Sequence, residues 1–148
     1  MSYLNVITLE QAKVYLRIDE DQTETDNEII AMINGAFSFI EKRTNHIMFP
    51  REKTYYGEHN INVYDFPINE PLPIDNVRLK YANYSRFTLT DEITLNVGYE
   101  LPLNVPEELK QAALQMLKVW YYEAEKQVNT TLIPDSVLMA LDVNKRFV

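Results

Sequence analysis

Cysteine is absent from this chain of 148 residues, and glycine (three) and histidine (two) are scarce; each shortage closes off a class of function. Without cysteine there is no disulfide framework and no thiolate metal site, which fits a reducing compartment. Gly35, Gly57 and Gly98 stand far apart, whereas phosphate loops and dinucleotide fingerprints need several glycines close together. A Gly-x-Ser-x-Gly nucleophile elbow is missing as well. His46 and His59 have no second histidine three to five residues away, so the spacing of zinc ligands is not there. His46 is expected to help cap the carbonyl end of the helix before it, and His59 to sit in a turn beside Gly57. No apolar run approaches the roughly 18 residues of a membrane span. Met1 to Asn5 have neither the basic start nor the apolar run of a signal peptide, so the expectation is a protein made and kept in the cytoplasm.

Positive charge is also in short supply. Fourteen lysines and arginines face 22 aspartates and glutamates, a formal charge of −8. A stand-alone duplex-binding protein needs a basic face to displace phosphate counterions, and that class is disfavoured. A net charge of this size keeps a small domain soluble; it also suits a wall that DNA passes without sticking.

What is present is patterned. The fold class expected is α+β and mostly helical: an N-terminal helix pair, a small antiparallel sheet insertion, and a long C-terminal helix followed by a short helix and an extended tail. Thr8-Leu9-Glu10-Gln11 has the form of a capping box, and Leu9, Ala12 and Leu16 fall on one face, which predicts a helix over 8–17. Thr25-Asp26-Asn27-Glu28 is a second candidate box. The stripe Ile29, Ile33, Ala36, Phe37, Ile40 predicts a helix over 26–44, with Lys42 and Arg43 in the last turn, where cations suit the dipole. Residues 50–99 turn to short extended runs, at 53–56, 61–66, 77–82, 87–89 and 92–99, broken between the second and third by Pro67, Pro71 and Pro73. One compact antiparallel sheet of three to five strands is the economical reading. Pro106-Glu107-Glu108 opens a helix over 106–126, with proline at its first position and the stripe Leu109, Ala113, Met116, Leu117, Trp120, Ala124. A linker precedes a short helix that starts at Pro134-Asp135.

The groups that could carry chemistry do not assemble into a motif. Counted from Asp19 as a calcium loop, position 6 is Glu24 where glycine is needed and position 12 is Ile30 where a bidentate carboxylate is needed. A solvated acidic loop is the better reading. Glu107 and Glu108 are first-turn helix acids. The aromatic content is the unusual feature, with ten tyrosines, six phenylalanines and one tryptophan. It divides between core packing and a protein-binding surface, since a nucleic-acid stacking platform would interleave cations.

Several stretches, in order, resemble the phage head–tail connector (adaptor) family: Thr8 to Asp19; Ala36 to Thr44; Leu72 to Val77; Val105 to Ala112; Trp120 to Glu123; and Pro134, Val137, Leu138, Leu141 and Arg146. The resemblance implies a structural protein and not an enzyme, with no cofactor and no metal. It implies a ring of typically twelve subunits in the virion neck, made in the host bacterial cytoplasm. The ring would sit under the portal protein, carry a stopper or tail-completion protein, and extend a channel through which DNA passes without specific binding. The free subunit is left as either monomer or ring. On this reading residues 1–133 form a single adaptor domain and 134–148 a docking arm. Pro134, Val137, Leu138, Met139, Leu141, Arg146 and Phe147 would meet the portal, and the loop Gly57, Glu58, His59, Asn60 would face the stopper or tail. The alternative is another tail-completion or protein-binding module without catalysis.

Overall fold

The computed structural model describes residues 2–73, 77–88, 91–125 and 133–144, the side chains of residues 124 and 125 excepted. Thr8 starts α1 (Leu9–Leu16) with the expected reciprocal cap: its Oγ1 accepts from the Gln11 N–H at 3.1 Å, and Gln11 Oε1 accepts from the Thr8 N–H at 3.0 Å. The helix ends at Arg17 in the left-handed region. α2 (Asp26–Thr44) buries the whole predicted stripe, Ile29 to Ile40. The second capping box does not form. Thr25 has φ −105° and ψ 9°, outside the extended conformation that aims an N-cap hydroxyl at the first-turn N–H groups.

The strand region departs from the expected single sheet. All five strands exist: β1 (Arg51–Tyr56), β2 (Asn60–Val63), β3 (Val77–Lys80), β4 (Ser85–Thr88) and β5 (Glu92–Val97). They divide into an antiparallel β1–β5 pair and a three-stranded antiparallel sheet in the order β2–β4–β3. β1 and β5 match over six residues, from Arg51 opposite Val97 to Tyr56 opposite Glu92. β2 joins β4 and not β1, with Ile61 opposite Phe87. It stops at Val63, before the expected Phe66, because Asp65 turns to take hydrogen bonds from Lys53 and Tyr55. The inner faces of both sheets meet in one apolar cluster of Ile47, Ile61, Val63, Phe87, Ile93, Leu95 and Val97.

α3 (Glu107–Glu125) begins one residue later than expected. Pro106 is its cap and not its first residue, and the Pro106 carbonyl accepts from the Leu109 N–H at 3.0 Å. α4 (Asp135–Val143) is capped in the same way by the Pro134 carbonyl. The four helices close over a second, larger core that includes Phe37, Leu109, Met116, Leu117, Val137 and Leu141. The two halves are laced by backbone hydrogen bonds: Ile47 N–H to the Phe66 carbonyl (2.8 Å), Gly98 N–H to the Pro67 carbonyl (2.9 Å), and Tyr99 N–H to the Ile47 carbonyl (3.0 Å). Gly98 makes this lacing possible. Its φ is +110°, and a Cβ there would lie 2.1 Å from the Phe49 carbonyl oxygen.

Candidate assembly surfaces

α4 carries most of the residues expected to meet the portal, and the structure divides them. Val137 and Leu141 are fully buried against α2 and α3. The apolar periodicity that suggested anchors for a partner is satisfied inside the domain. Pro134 and Leu138 are half-buried, and Met139 is 70% exposed, as is Val143 at 85%. Arg146 and Phe147 lie outside the described residues. The end of α4 is tied down on both sides. Arg43 donates to Asp142 at 3.1 and 2.9 Å, and His46 Nε2 lies 2.8 Å from the Asn144 carbonyl. A carbonyl can only accept, so in the neutral ring Nε2 carries the proton and Nδ1 accepts from the Tyr99 hydroxyl at 2.7 Å. His46 was expected to cap α2. Its ring bonds Tyr99 and the end of α4 instead, because Asn45 in the left-handed conformation already closes that helix through the Glu41 carbonyl.

The loop Gly57 to Asn60 links β1 to β2 at the end of β1 farthest from α2. Glu58, His59 and Asn60 are exposed. The turn is tight: His59 has φ 115°, the Gly57 N–H donates to the Asp91 carbonyl at 3.0 Å, and a Cβ on Gly57 would lie 2.2 Å from the Asn60 carbonyl oxygen. Exposed Tyr56 stands beside it. The structure does not bring this loop together with α4.

Between α2 and β1 runs a groove of about 460 Å³ lined by charged side chains. Buried Glu41 accepts from the Tyr3 hydroxyl, the Met48 N–H (2.9 Å) and both terminal nitrogens of Arg51 (3.2 and 2.6 Å). Arg51 also stacks over Phe49, 4.0 Å from the ring centre. Burial, and then the Glu41 carboxylate, push the Tyr3 hydroxyl up to about 12. Alongside, Asp65 accepts from Lys53 (2.7 Å) and Tyr55 (2.6 Å); burial first, then Asp65, raise the Tyr55 hydroxyl. These carboxylates are engaged by donors on the protein itself, an arrangement that joins α2 to the sheets.

Two further surfaces carry opposite charge. Residues Asp19 to Glu28 hold six carboxylates and no cation, and Asp19, Glu20, Asp21, Glu24 and Glu28 are exposed. The loop is not simply solvated. Lys13, 4% exposed, reaches under it to the Glu20 carbonyl at 3.2 Å and to Asp26 at 2.7 Å. Sequence reading passed over Lys13, although its place between Leu9 and Leu16 on the apolar face of α1 was the available signal.

The stretch 77–88 holds three cations and no acid. Arg78 bonds to Glu70 (3.3 Å) and Ser85 (3.4 Å), but its buried Nε has no partner. Arg86 lies over Tyr81 and Tyr84, 5.6 and 5.9 Å from their ring centres, and those two tyrosines stack at 4.6 Å. A cavity of about 300 Å³ opens between Phe66, Arg78, Lys80, Tyr81 and Tyr84, with Asp65 and Glu70 also on its wall. The tyrosines thus divide. Tyr3, Tyr55, Tyr99 and Tyr122 serve internal packing and hydrogen bonds, whereas Tyr56 and Tyr81 are exposed.

A chain of the virion of a native gene transfer agent particle superposes with a TM-score of 0.74, at 15% identity, over 100% of this chain and 93% of that one. A chain of the neck of an empty gene transfer agent particle, computed with C6 symmetry, gives 0.70, at 15% identity, over 97% and 91%. This chain shares their fold. No family model and no curated protein matches the sequence, so membership of the connector family is not shown. Among the described residues, no helix is long and apolar enough to cross a membrane.

Proposed function

We propose that the chain is a structural, non-catalytic subunit of the head–tail neck of a tailed phage or phage-like particle: a connector that forms a ring under the portal, extends the DNA channel and receives a stopper or tail protein. The observation that carries this reading is the likeness of fold, nearly end to end in both chains, to components of a gene transfer agent virion and of its neck. The in-order resemblance of Thr8–Asp19, Val105–Ala112 and Trp120–Glu123 to connector proteins points the same way. A ring of twelve is compatible with the C6 symmetry described for the neck. A charge of −8 suits a channel wall that repels phosphates.

On this reading the portal-facing contact uses the exposed side of α4, Met139 and Val143, and not Val137 and Leu141. The test is a pull-down of the tagged chain from a lysate of infected or induced host cells, read by mass spectrometry. Recovery of a portal protein together with a stopper or tail protein is expected. Recovery of neither, with phage structural proteins plentiful in the lysate, sinks the connector reading and favours a different protein-binding module. Met139→Glu with Val143→Glu is expected to cut portal recovery at least tenfold while leaving the melting temperature unchanged.

A further inference from the structure

The two oppositely charged surfaces lie at opposite ends of α2. The acidic loop leads directly into its first turn. The basic sheet lies beyond its last, since Phe66, which lines the basic cavity, is bridged to His46 two residues past Thr44. Nineteen helical residues at 1.5 Å each separate the two ends by about 28 Å. A molecule with complementary patches at opposite ends associates head to tail, and a head-to-tail contact that closes makes a ring.

We propose that the acidic loop Asp19–Glu28 of one copy docks on the basic, tyrosine-rich sheet (Arg78, Lys80, Tyr81, Tyr84, Arg86) of a second copy. The inference rests on the ring reading and names the contact between its subunits. Charge complementarity carries it: six carboxylates and no cation in the stretch 19–28 on one side, three cations and no acid in the stretch 77–88 on the other, where Arg78 is paired with Glu70 and Asp65 with Lys53, which leaves Lys80 and Arg86 as the cations free of a carboxylate. The acidic side is preformed. Lys13 pins the loop from beneath and leaves five of its carboxylates, Asp19, Glu20, Asp21, Glu24 and Glu28, exposed, so little ordering cost remains on docking. Holding like charges together in a fixed loop is unfavourable for the isolated chain, and a cationic neighbour relieves it. The receiving side offers a cavity with an unpartnered Arg78 Nε, a cation in Lys80, and stacked Tyr81 and Tyr84 under Arg86. Arginine and tyrosine are among the residues most enriched where interfaces hold tightest.

The chain has no cysteine, so introduced cysteines are unique. Asp21→Cys and Tyr81→Cys are placed singly and together in the full chain, purified at millimolar concentration and treated with a short bis-maleimide. The doubly substituted chain is expected to give a ladder of dimers, trimers and higher species. Each single variant alone gives little, and an equimolar mixture of the two gives dimers. Lys80→Glu with Arg86→Glu should reduce the ladder at least tenfold, and adding Asp19→Lys and Glu24→Lys in the same chain should restore it, which separates lost contact from lost fold. A ladder indifferent to the reversed charges, cross-links joining position 21 to position 21, or no cross-linking at all overturns the inference. Because purified chain is used, these outcomes are independent of portal recovery: a chain recovered with the portal but not cross-linked head to tail keeps the neck reading and loses this contact.

Discussion

At the scale of single residues, two positions control the join between the halves. Gly98 has a positive φ and backbone in the place of a side chain, so Gly98→Ala combines strain with a clash against Phe49. The expected loss is about 2–4 kcal/mol of stability, measured by urea denaturation. Glu41, with Tyr3 and Arg51, sets an alkaline limit. Because the folded chain holds the Tyr3 proton more tightly than the unfolded chain does, this contribution is complete below pH 10 and is lost as pH rises through about 12. Tyr55 shifts in the same direction. The melting temperature is therefore expected to fall between pH 10 and 12, and Tyr3→Phe should make that fall shallower. A melting temperature with the same pH slope in the variant would remove Tyr3 from the account.

At the scale of elements, α4 is the informative case. Its core-facing side chains Val137 and Leu141 are as buried as those of α2. Leu141→Ala should cost about 2–5 kcal/mol, whereas Met139→Ala, at an exposed position, should stay within about 0.5 kcal/mol; chemical denaturation of both variants checks the contrast. Removing 134–148 should therefore destabilise the whole domain and not merely remove a contact arm. Point changes on the exposed side of α4 are the cleaner probe of docking.

At the scale of the whole molecule, two cores share one boundary. The lacing of 45–47, 66–69 and 96–99 means that neither core can open without breaking buried hydrogen bonds of the other. Trp120, the one tryptophan, packs on the helical core near Gly35. Its fluorescence and the circular dichroism of the whole chain are expected to give coincident urea transitions. Two separated transitions would show that the halves fold independently. The charge balance acts at the same scale. Retention on immobilised duplex DNA at about 0.15 M salt is not expected, because the few cations of the sheet are outweighed by the rest of the surface.

Elements were legible in the sequence because each rests on residues close together in the chain. The Thr8–Gln11 cap, the five-residue stripe of α2, the alternation Ile93-Leu95-Val97 and the prolines before α3 and α4 are all local patterns, and such patterns placed α1 to α4 and β1 to β5, but not the short 3-10 turns at Tyr3–Asn5 and Pro102–Asn104. The absence of cysteine likewise excluded disulfides and thiolate metal sites from the sequence alone. Only the tertiary structure decided the rest. It split one expected sheet into two, turned Val137 and Leu141 from anchors into core, gave His46 two distant partners, and put Lys13 beneath the acidic loop. Each of these depends on which groups far apart in the chain compete for the same edge, cavity or hydrogen bond. Periodicity says that a face is apolar, but not what covers it. The separation of the acidic and basic patches by the length of α2 is of the same kind: their composition is written in the sequence, and their opposition exists only in the fold.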